Sequence, residues 1–236
     1  MGTIMIPKTI HYCWFGGKPK PKLAEKCIAS WKKYCPGYEI IEWNEDSFDV
    51  DQNGYTRMCI EQKKYAFLSD YVRLVAVAEH GGIYFDTDVE LLRPPDELLK
   101  LDAFYCFETD HYVASGLGFG SVAGGSSIRA MLAEYDFLLD GTGGTRGCPR
   151  LNTAALVKLG LKQDGSMQTV ADATILPSEY MNPLDPATGI IRKTPNTVSI
   201  HWYSAAWLSP WRRLRTRIMR PFHRLFGVDA FERFRK

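Results

Sequence analysis

Hydrophobic and polar positions alternate along this chain in two rhythms, and the rhythm changes at glycines and prolines. Thr9 to Phe15 reads as a buried strand closed by a Gly16-Gly17 turn. Residues 21–34 carry Leu23, Cys27, Ile28, Trp31 and Tyr34 at helical spacing, and Pro36-Gly37 ends them. Tyr38 to Trp43 reads as the next strand, so strand, helix, strand predicts a parallel unit with a right-handed crossover. Residues 44–61 form a polar connection with a short helix. From Tyr65 to Ala78 the apolar side chains point in nearly every direction of a helical wheel, as in a largely buried helix. Gly81 and Gly82 supply a positive-φ stop, and Ile83 to Phe85 forms a strand. Beyond the stop at Leu92-Arg93-Pro94-Pro95, Phe104 to Phe107 reads as a strand and residues 127–139 as a helix. Residues 116–125 are glycine-rich. Gly141 to Gly147 is a flexible loop with four glycines, a candidate lid. Val198 to Ile200 is a further strand.

Charges within these apolar stretches point to chemistry. The helix over 65–78 carries only Asp70 and Arg73, three residues apart and so on one face. Burying them costs several kcal/mol unless they pair or face a polar cleft. The strand that follows ends in Asp86-Thr87-Asp88. On an extended backbone, alternate residues share a side about 7 Å apart. Two carboxylates there make half a divalent-cation site and leave the other half open to phosphate oxygens. The C-terminal ends of strands are also where open α/β sheets bind ligands. His201, at another strand end, offers an imidazole ligand. Glu108, Asp110 and His111 follow a strand and are candidates to face an acceptor.

Ser69-Asp70-Tyr71-Val72-Arg73 followed by Gly81-Gly82-Ile83-Tyr84-Phe85-Asp86-Thr87-Asp88 resembles the DXD-containing sugar-binding region of glycosyltransferase family 32. The opening Ile6-Pro7-Lys8-Thr9-Ile10-His11 with Trp14 resembles that family's first strand. His201-Trp202-Tyr203-Ser204-Ala205-Ala206-Trp207 resembles its closing motif, with Trp202 and Ala206 in place of a histidine and a serine. Cys148-Pro149 and Asn152 fall where the family often has a Gly-Pro loop, and the cysteine departs from it. The resemblance covers roughly residues 6 to 207. It implies a GT-A type nucleotide-diphospho-sugar transferase fold, a single Rossmann-like α/β domain. It also implies Mn²⁺ or Mg²⁺ held by Asp86, Asp88 and His201, a donor bound by Trp14, Asp70, Arg73, Asp86 and Trp207, and catalysis resting on Asp86, Asp88 and Arg73. Transfer with retention of configuration belongs to the same implication.

Composition and charge refine this picture. At 236 residues, 45% of them hydrophobic, the chain suits one domain with a substantial core. No apolar run is long enough to span a bilayer, and the N-terminus does not read as a secretory signal. Cys13, Cys27, Cys35, Cys59, Cys106 and Cys148 show no CxxC and no zinc-like clustering, so reduced thiols in a cytoplasmic protein are expected. The net charge of +2 hides a split: residues 210–236 carry +7, the preceding body −5. Between Trp211 and Phe226 the arginines alternate with Trp211, Leu214, Ile218, Phe222 and Phe226, on one face of a helix that Pro221 interrupts. That is the composition of a helix on an anionic membrane surface. No nucleic-acid motif accompanies the charge, so no nucleic-acid partner is expected.

The expected organisation is a GT-A domain over residues 1–209 and a basic amphipathic tail over 210–236, peripheral to the inner face of the cell membrane. The expected reaction moves a sugar, UDP-linked for preference, to a hydroxyl of a growing lipid-linked bacterial polysaccharide. Two other classes fit parts of the sequence. Ile83 to Leu91 resembles the nucleophile strand of haloacid-dehalogenase phosphatases, although about 80 residues precede it and Glu90 stands where Thr or Val is wanted. A non-catalytic sugar-nucleotide-binding module would keep the same motifs without turnover.

Overall fold

The computed structural model describes residues 5–204 and 210–227. The chain runs β1 (Thr9–Cys13), α1 (Lys22–Tyr34), β2 (Glu39–Trp43), α2 (Gly54–Glu61), α3 (Tyr65–His80), β3 (Gly82–Tyr84) and β4 (Val89–Leu91). It continues through β5 (Ala103–Thr109), β6 (Tyr112–Val113), β7 (Phe119–Ser121), α4 (Ser126–Ala133), α5 (Cys148–Lys158), β8 (Gln168–Val170), β9 (Ala173–Leu176), β10 (Ser199–His201) and α6 (Pro210–Phe226).

The central sheet has the order β2-β1-β3-β7-β5-β9-β8, with β6 on the edge of β5. β1 runs parallel to both β2 and β3, and β5 parallel to β9. β7 lies antiparallel between β3 and β5. The sheet is therefore mixed, and β1, β3 and β5 all end at the same edge. β4 leaves it and pairs antiparallel with β10, placing His201 opposite Val89.

Side-chain alternation divides the core into two layers. Tyr84, Tyr105 and Phe107 face α3, α4 and α5, where Leu68, Val72, Ile128 and Leu156 meet them. Ile83, Phe85, Phe104 and Cys106 face the other way, toward Trp31 of α1 and Leu117. A helix buried along α3 and a short strand read correctly from the sequence follow from this double-sided cover.

The glycine pair between α3 and β3 is required by both conformation and space. Gly81 has φ +67° and Gly82 φ +106°. A Cβ on Gly82 would lie 2.7 Å from the Thr9 carbonyl oxygen. The buried His11 Nε2 donates to the Gly81 carbonyl at 2.8 Å, while its Nδ1 accepts from the Trp43 indole. These bonds fix where β3 leaves the helix, and so where Asp86 emerges.

All six cysteines are buried and free. α6 continues through Pro221. Arg220 Nε donates to the Pro186 carbonyl at 3.3 Å and Arg224 Nε to the Thr188 carbonyl at 2.7 Å, so this face of α6 lies against the loop at 186–188. Two arginines of the tail thus hydrogen-bond to the body of the protein. Among the described residues no helix is long and apolar enough to cross a membrane.

Candidate active site

Asp86, Thr87 and Asp88 form a turn, not an extension of the strand: the Val89 amide bonds back to the Asp86 carbonyl at 2.9 Å. The expected separation of about 7 Å along an extended backbone is replaced by a tighter geometry. One ligand atom from each of Asp86, Asp88 and His201 lies within 4.8 Å of the others. The antiparallel β4–β10 pair produces this closure, because it sets His201 directly beside the turn.

The two carboxylates are held differently. Asp88 Oδ1 lies 3.1 Å from His201 Nε2, and its Oδ2 accepts the Ser204 amide at 2.7 Å. Burial opposes ionisation, but His201 and Ser204 together hold Asp88 well below the usual carboxylate range. Burial alone would lower the His201 pKa; the charge and hydrogen bond of Asp88, with the charges of Asp86 and Glu108, together outweigh it, and the net shift is upward. His201 Nδ1 is buried with no hydrogen-bond partner among the described residues. Asp86 Oδ1 accepts from Arg73 at 2.8 Å and from the Tyr84 hydroxyl at 2.9 Å. Its Oδ2 lies against Gly116, where a Cβ would come within 2.6 Å. Burial raises the Asp86 pKa, with Arg73 pulling it back and Asp88 adding to the rise.

Arg73 is 3% exposed, and each nitrogen of its guanidinium meets a protein partner. Nε bonds the Ser69 carbonyl, Nη1 meets Ser115 Oγ and Cys148 Sγ, and Nη2 reaches Asp86 and Asp70. Asp70, 3.0 Å from Arg73, has its pKa raised to about 6 by burial, with Arg73 opposing and Asp86 reinforcing the rise. The charged pair seen on one helix face is thus one half of a network that reaches across to the DXD turn.

Trp14 follows β1 at the same sheet edge. The β1–β3 register matches His11 with Tyr84, so Trp14 and the turn at Asp86–Asp88 follow neighbouring strands. It is half-buried, and its indole N–H donates to the Lys18 carbonyl at 2.6 Å. Glu108, at the end of β5, accepts from the Tyr203 hydroxyl at 3.3 Å, and the Tyr203 ring packs edge-on at 4.2 Å from His201. Asp110 and His111 turn away; His111 bonds the Gln163 carbonyl. Asn152 Oδ1 accepts the Ser115 amide, which holds the Gly116 turn in place. Trp207 lies outside the described residues. Tyr84, Ser115, Gly116, Tyr203 and Ser204 join the site without having been singled out. Tyr84, Tyr203 and Ser204 lay within the two quoted motifs and Gly116 within the glycine-rich run; Ser115 carried no signal.

The loop at 141–147 is pinned at its start: Asp140 accepts the Thr142 amide and hydroxyl, and Gly141 sits against Gly54. Its second half, with Glu108, lines an open cleft of about 720 Å³.

Residues 21–105 match the family model described as a glycosyltransferase sugar-binding region containing the DXD motif. The matched stretch contains Asp70, Arg73, Asp86 and Asp88. This stretch and the site around it are therefore similar to the DXD-containing sugar-binding region of glycosyltransferases. A stretch covering 39% of the chain is 31% identical to part of the Subversion of eukaryotic traffic protein A of Legionella pneumophila, and it spans about a fifth, 19%, of that protein. The structure of PaToxG Glycosyltransferase superposes with a TM-score of 0.54 at 19% identity, over 65% of this chain and 69% of that one, which shows a shared fold of the GT-A kind. A glycosyltransferase involved in the glycosylation of the major capsid of PBCV-1 aligns over 89% of this chain and 98% of its own at 11% identity. The TM-score of that superposition is 0.44.

Proposed function

We propose that this chain is a metal-dependent, retaining glycosyltransferase that moves a sugar from a nucleotide-diphosphate donor, UDP-linked by preference, to a hydroxyl of a growing lipid-linked bacterial surface polysaccharide. The observation that carries the reading is the convergence of Asp86, Asp88 and His201 at the edge where β1, β3 and β5 end. Two carboxylates and an imidazole are a donor set suited to Mn²⁺ or Mg²⁺. Ligand atoms within 4.8 Å of one another fit one ion. When bound, the ion supplies Lewis-acid compensation for charge on the departing diphosphate.

The chain's own residues do the rest. Asp88 is ionised throughout the working range, and Ser204 holds it in place. Arg73 spends its donors on protein partners, so in this reading it positions Asp86 instead of touching the donor. Asp70, 14% exposed at its side chain, orients sugar hydroxyls. Trp14 offers a flat face for the nucleobase, and Trp207 is assigned to the donor by motif alone. In front-face transfer the acceptor oxygen bonds to the anomeric carbon as the bond to diphosphate breaks, and the hydroxyl proton passes to a diphosphate oxygen. Asp86 is poorly suited to be a phosphatase nucleophile, since Arg73 and Tyr84 both bond its Oδ1.

The membrane part of the proposal rests on α6. Trp211, Leu214 and Ile218 are exposed and spaced three and four apart. Arg220 and Arg224, which bond the body, lie on the opposite side of the helix, so the apolar stripe is directed away from the protein. A domain boundary near residue 209 and a place at the inner face of the cell membrane complete the reading.

Incubating the protein with labelled UDP- and GDP-sugars and Mn²⁺ tests it. Transfer or slow donor hydrolysis is expected, lost in chelator and nearly abolished by Asp88→Asn in a folded protein. Full turnover by metal-free protein in EDTA would overturn the metal-dependent mechanism.

A further inference from the structure

The open cleft beside the DXD turn has chemistry of its own. Glu108 and Tyr112 line one part, Arg146, Gly147 and Arg150 another. Neither arginine has a carboxylate within ion-pair distance among the described residues. Both are exposed, and they stand on a body whose net charge is −5. Two unpaired guanidiniums facing an open volume of about 720 Å³ mark a place for an anion.

Its position says which substrate it receives. Trp14 follows β1 and Glu108 ends β5, with β3 and β7 between them. Strands about 4.8 Å apart put these two residues roughly 14 Å from one another across the sheet, on opposite sides of Asp86 and Asp88. The cleft also borders the charged cluster on both walls. Glu108 reaches His201 through Tyr203, and Cys148, next to Gly147, touches Arg73.

We infer that this cleft seats the acceptor, and that the acceptor carries a phosphate held by Arg146 and Arg150 while Glu108 accepts a hydrogen bond from its sugar hydroxyl. The inference rests on the transferase reading above. A phosphate group at neutral pH carries a charge between −1 and −2 and several acceptor oxygens, which two guanidiniums match better than one. A neutral glycan would leave both arginines unused, and a nucleobase would find no aromatic face beside them other than the phenol of Tyr112. The phosphate can belong to a soluble sugar phosphate or to a lipid-linked diphosphate sugar; the chemistry recognised is the same.

The test is direct binding to the full chain, by calorimetry, without donor. Three probes are used: glucose 1-phosphate, a short-chain prenyl diphosphate glucose in micelles, and neutral methyl glucoside. At least one phosphorylated probe should bind, at least tenfold more weakly to Arg146→Ala/Arg150→Ala, and the tighter of the two names the source. Methyl glucoside should not distinguish the proteins. Equal binding of both phosphorylated probes to both proteins, or no binding of either, overturns the inference. So does a tenfold loss of UDP–Mn²⁺ affinity in the double variant, which would assign the arginines to the donor. Hydrolysis of nucleotide sugar by the unmodified chain is measured alongside. Its absence for every donor counts against the transferase reading whatever the binding result, so the two failures are distinguishable.

Discussion

Replacing Arg73 with methionine keeps the volume of the side chain and removes its charge, leaving Asp70 and Asp86 buried without their shared cation. Breaking a buried ion pair from one side costs about 3–5 kcal/mol. For a chain of this length, each kcal/mol lowers the midpoint of thermal unfolding by about 2–4 °C, so a fall of roughly 6–20 °C is expected. The pH dependence gives a second handle. Asp70 already has a folded pKa raised to about 6, mostly by burial and against the pull of Arg73. A carboxyl with a raised folded pKa binds its proton more tightly when folded, so its contribution is full below the unfolded value near 4 and lost as pH rises through 6. Without Arg73 that folded pKa rises further. The gap between the wild-type and Arg73→Met melting curves should therefore be wider at pH 8 than at pH 5. Adding Asp70→Asn should recover part of the loss at pH 8. Metal-dependent activity of the folded variant should fall about a hundredfold, the cost of an Asp86 displaced by about 1 Å. A melting point within 2 °C of wild type at pH 8 would refute the energetic argument. Unchanged activity per folded molecule would refute the positioning role.

Gly116→Ala places a methyl group 2.6 Å from Asp86 Oδ2; a stability loss of about 1–3 kcal/mol and a weakened Mn²⁺ affinity by electron paramagnetic resonance titration are expected, and unchanged affinity would mean that this oxygen is not a ligand. Asp172 accepts the first amides of α4, from Ser126 at 2.7 Å and Ser127 at 2.9 Å, so Asp172→Ala should cost about 1–2 kcal/mol by denaturant titration. Burial works against ionisation of Asp172, but these bonds hold its pKa below normal; its contribution is present at neutral pH and lost in acid, and the two titration midpoints should converge below about pH 3. Because Asp88 raises the proton affinity of His201, metal and proton compete there, and apparent Mn²⁺ affinity should climb with pH through a value above 6.5; a flat profile from pH 6 to 8 would argue against His201 as a ligand. Leu214→Glu/Ile218→Glu in the full chain should reduce co-sedimentation with vesicles containing anionic lipid, and equal sedimentation of both proteins would remove α6 as the membrane contact.

The two-sided burial of α3, the glycine stop and the strand before Asp86 were all legible as periodicity, because each is written in consecutive residues. The short strands β4, β6 and β7 were not. Each has two or three residues, and each exists because a neighbour supplies its hydrogen bonds. α5 was hidden by Cys148-Pro149 at its start, read as loop chemistry, although proline in a first helical turn is well tolerated. Arg73 and Asp70 were legible as a pair; that Arg73 also reaches Asp86, Ser115 and Cys148 was not, since those partners come from three other segments.

The turn at Asp86–Asp88 shows why that difference matters for chemistry. Had the strand continued, both carboxylates would have lined one face of an extended strand, with no returning strand to bring a third ligand beside them. The chain instead turns at Thr87 and re-enters as β4, and β4 needs a partner for its exposed edge. β10 is that partner, with the Trp202 amide adding a further bond to the Asp88 carbonyl at 2.9 Å. Satisfying the backbone of β4 therefore delivers His201 and the Ser204 amide to Asp88 from more than a hundred residues away. The metal-ligand set is a consequence of strand pairing. A substitution that weakens the β4–β10 pair, such as Ile200→Pro, which removes a backbone donor from a buried position, should then abolish Mn²⁺ binding although it changes none of the three ligands. Retained metal affinity in that variant would show that the triad is held by side-chain contacts alone.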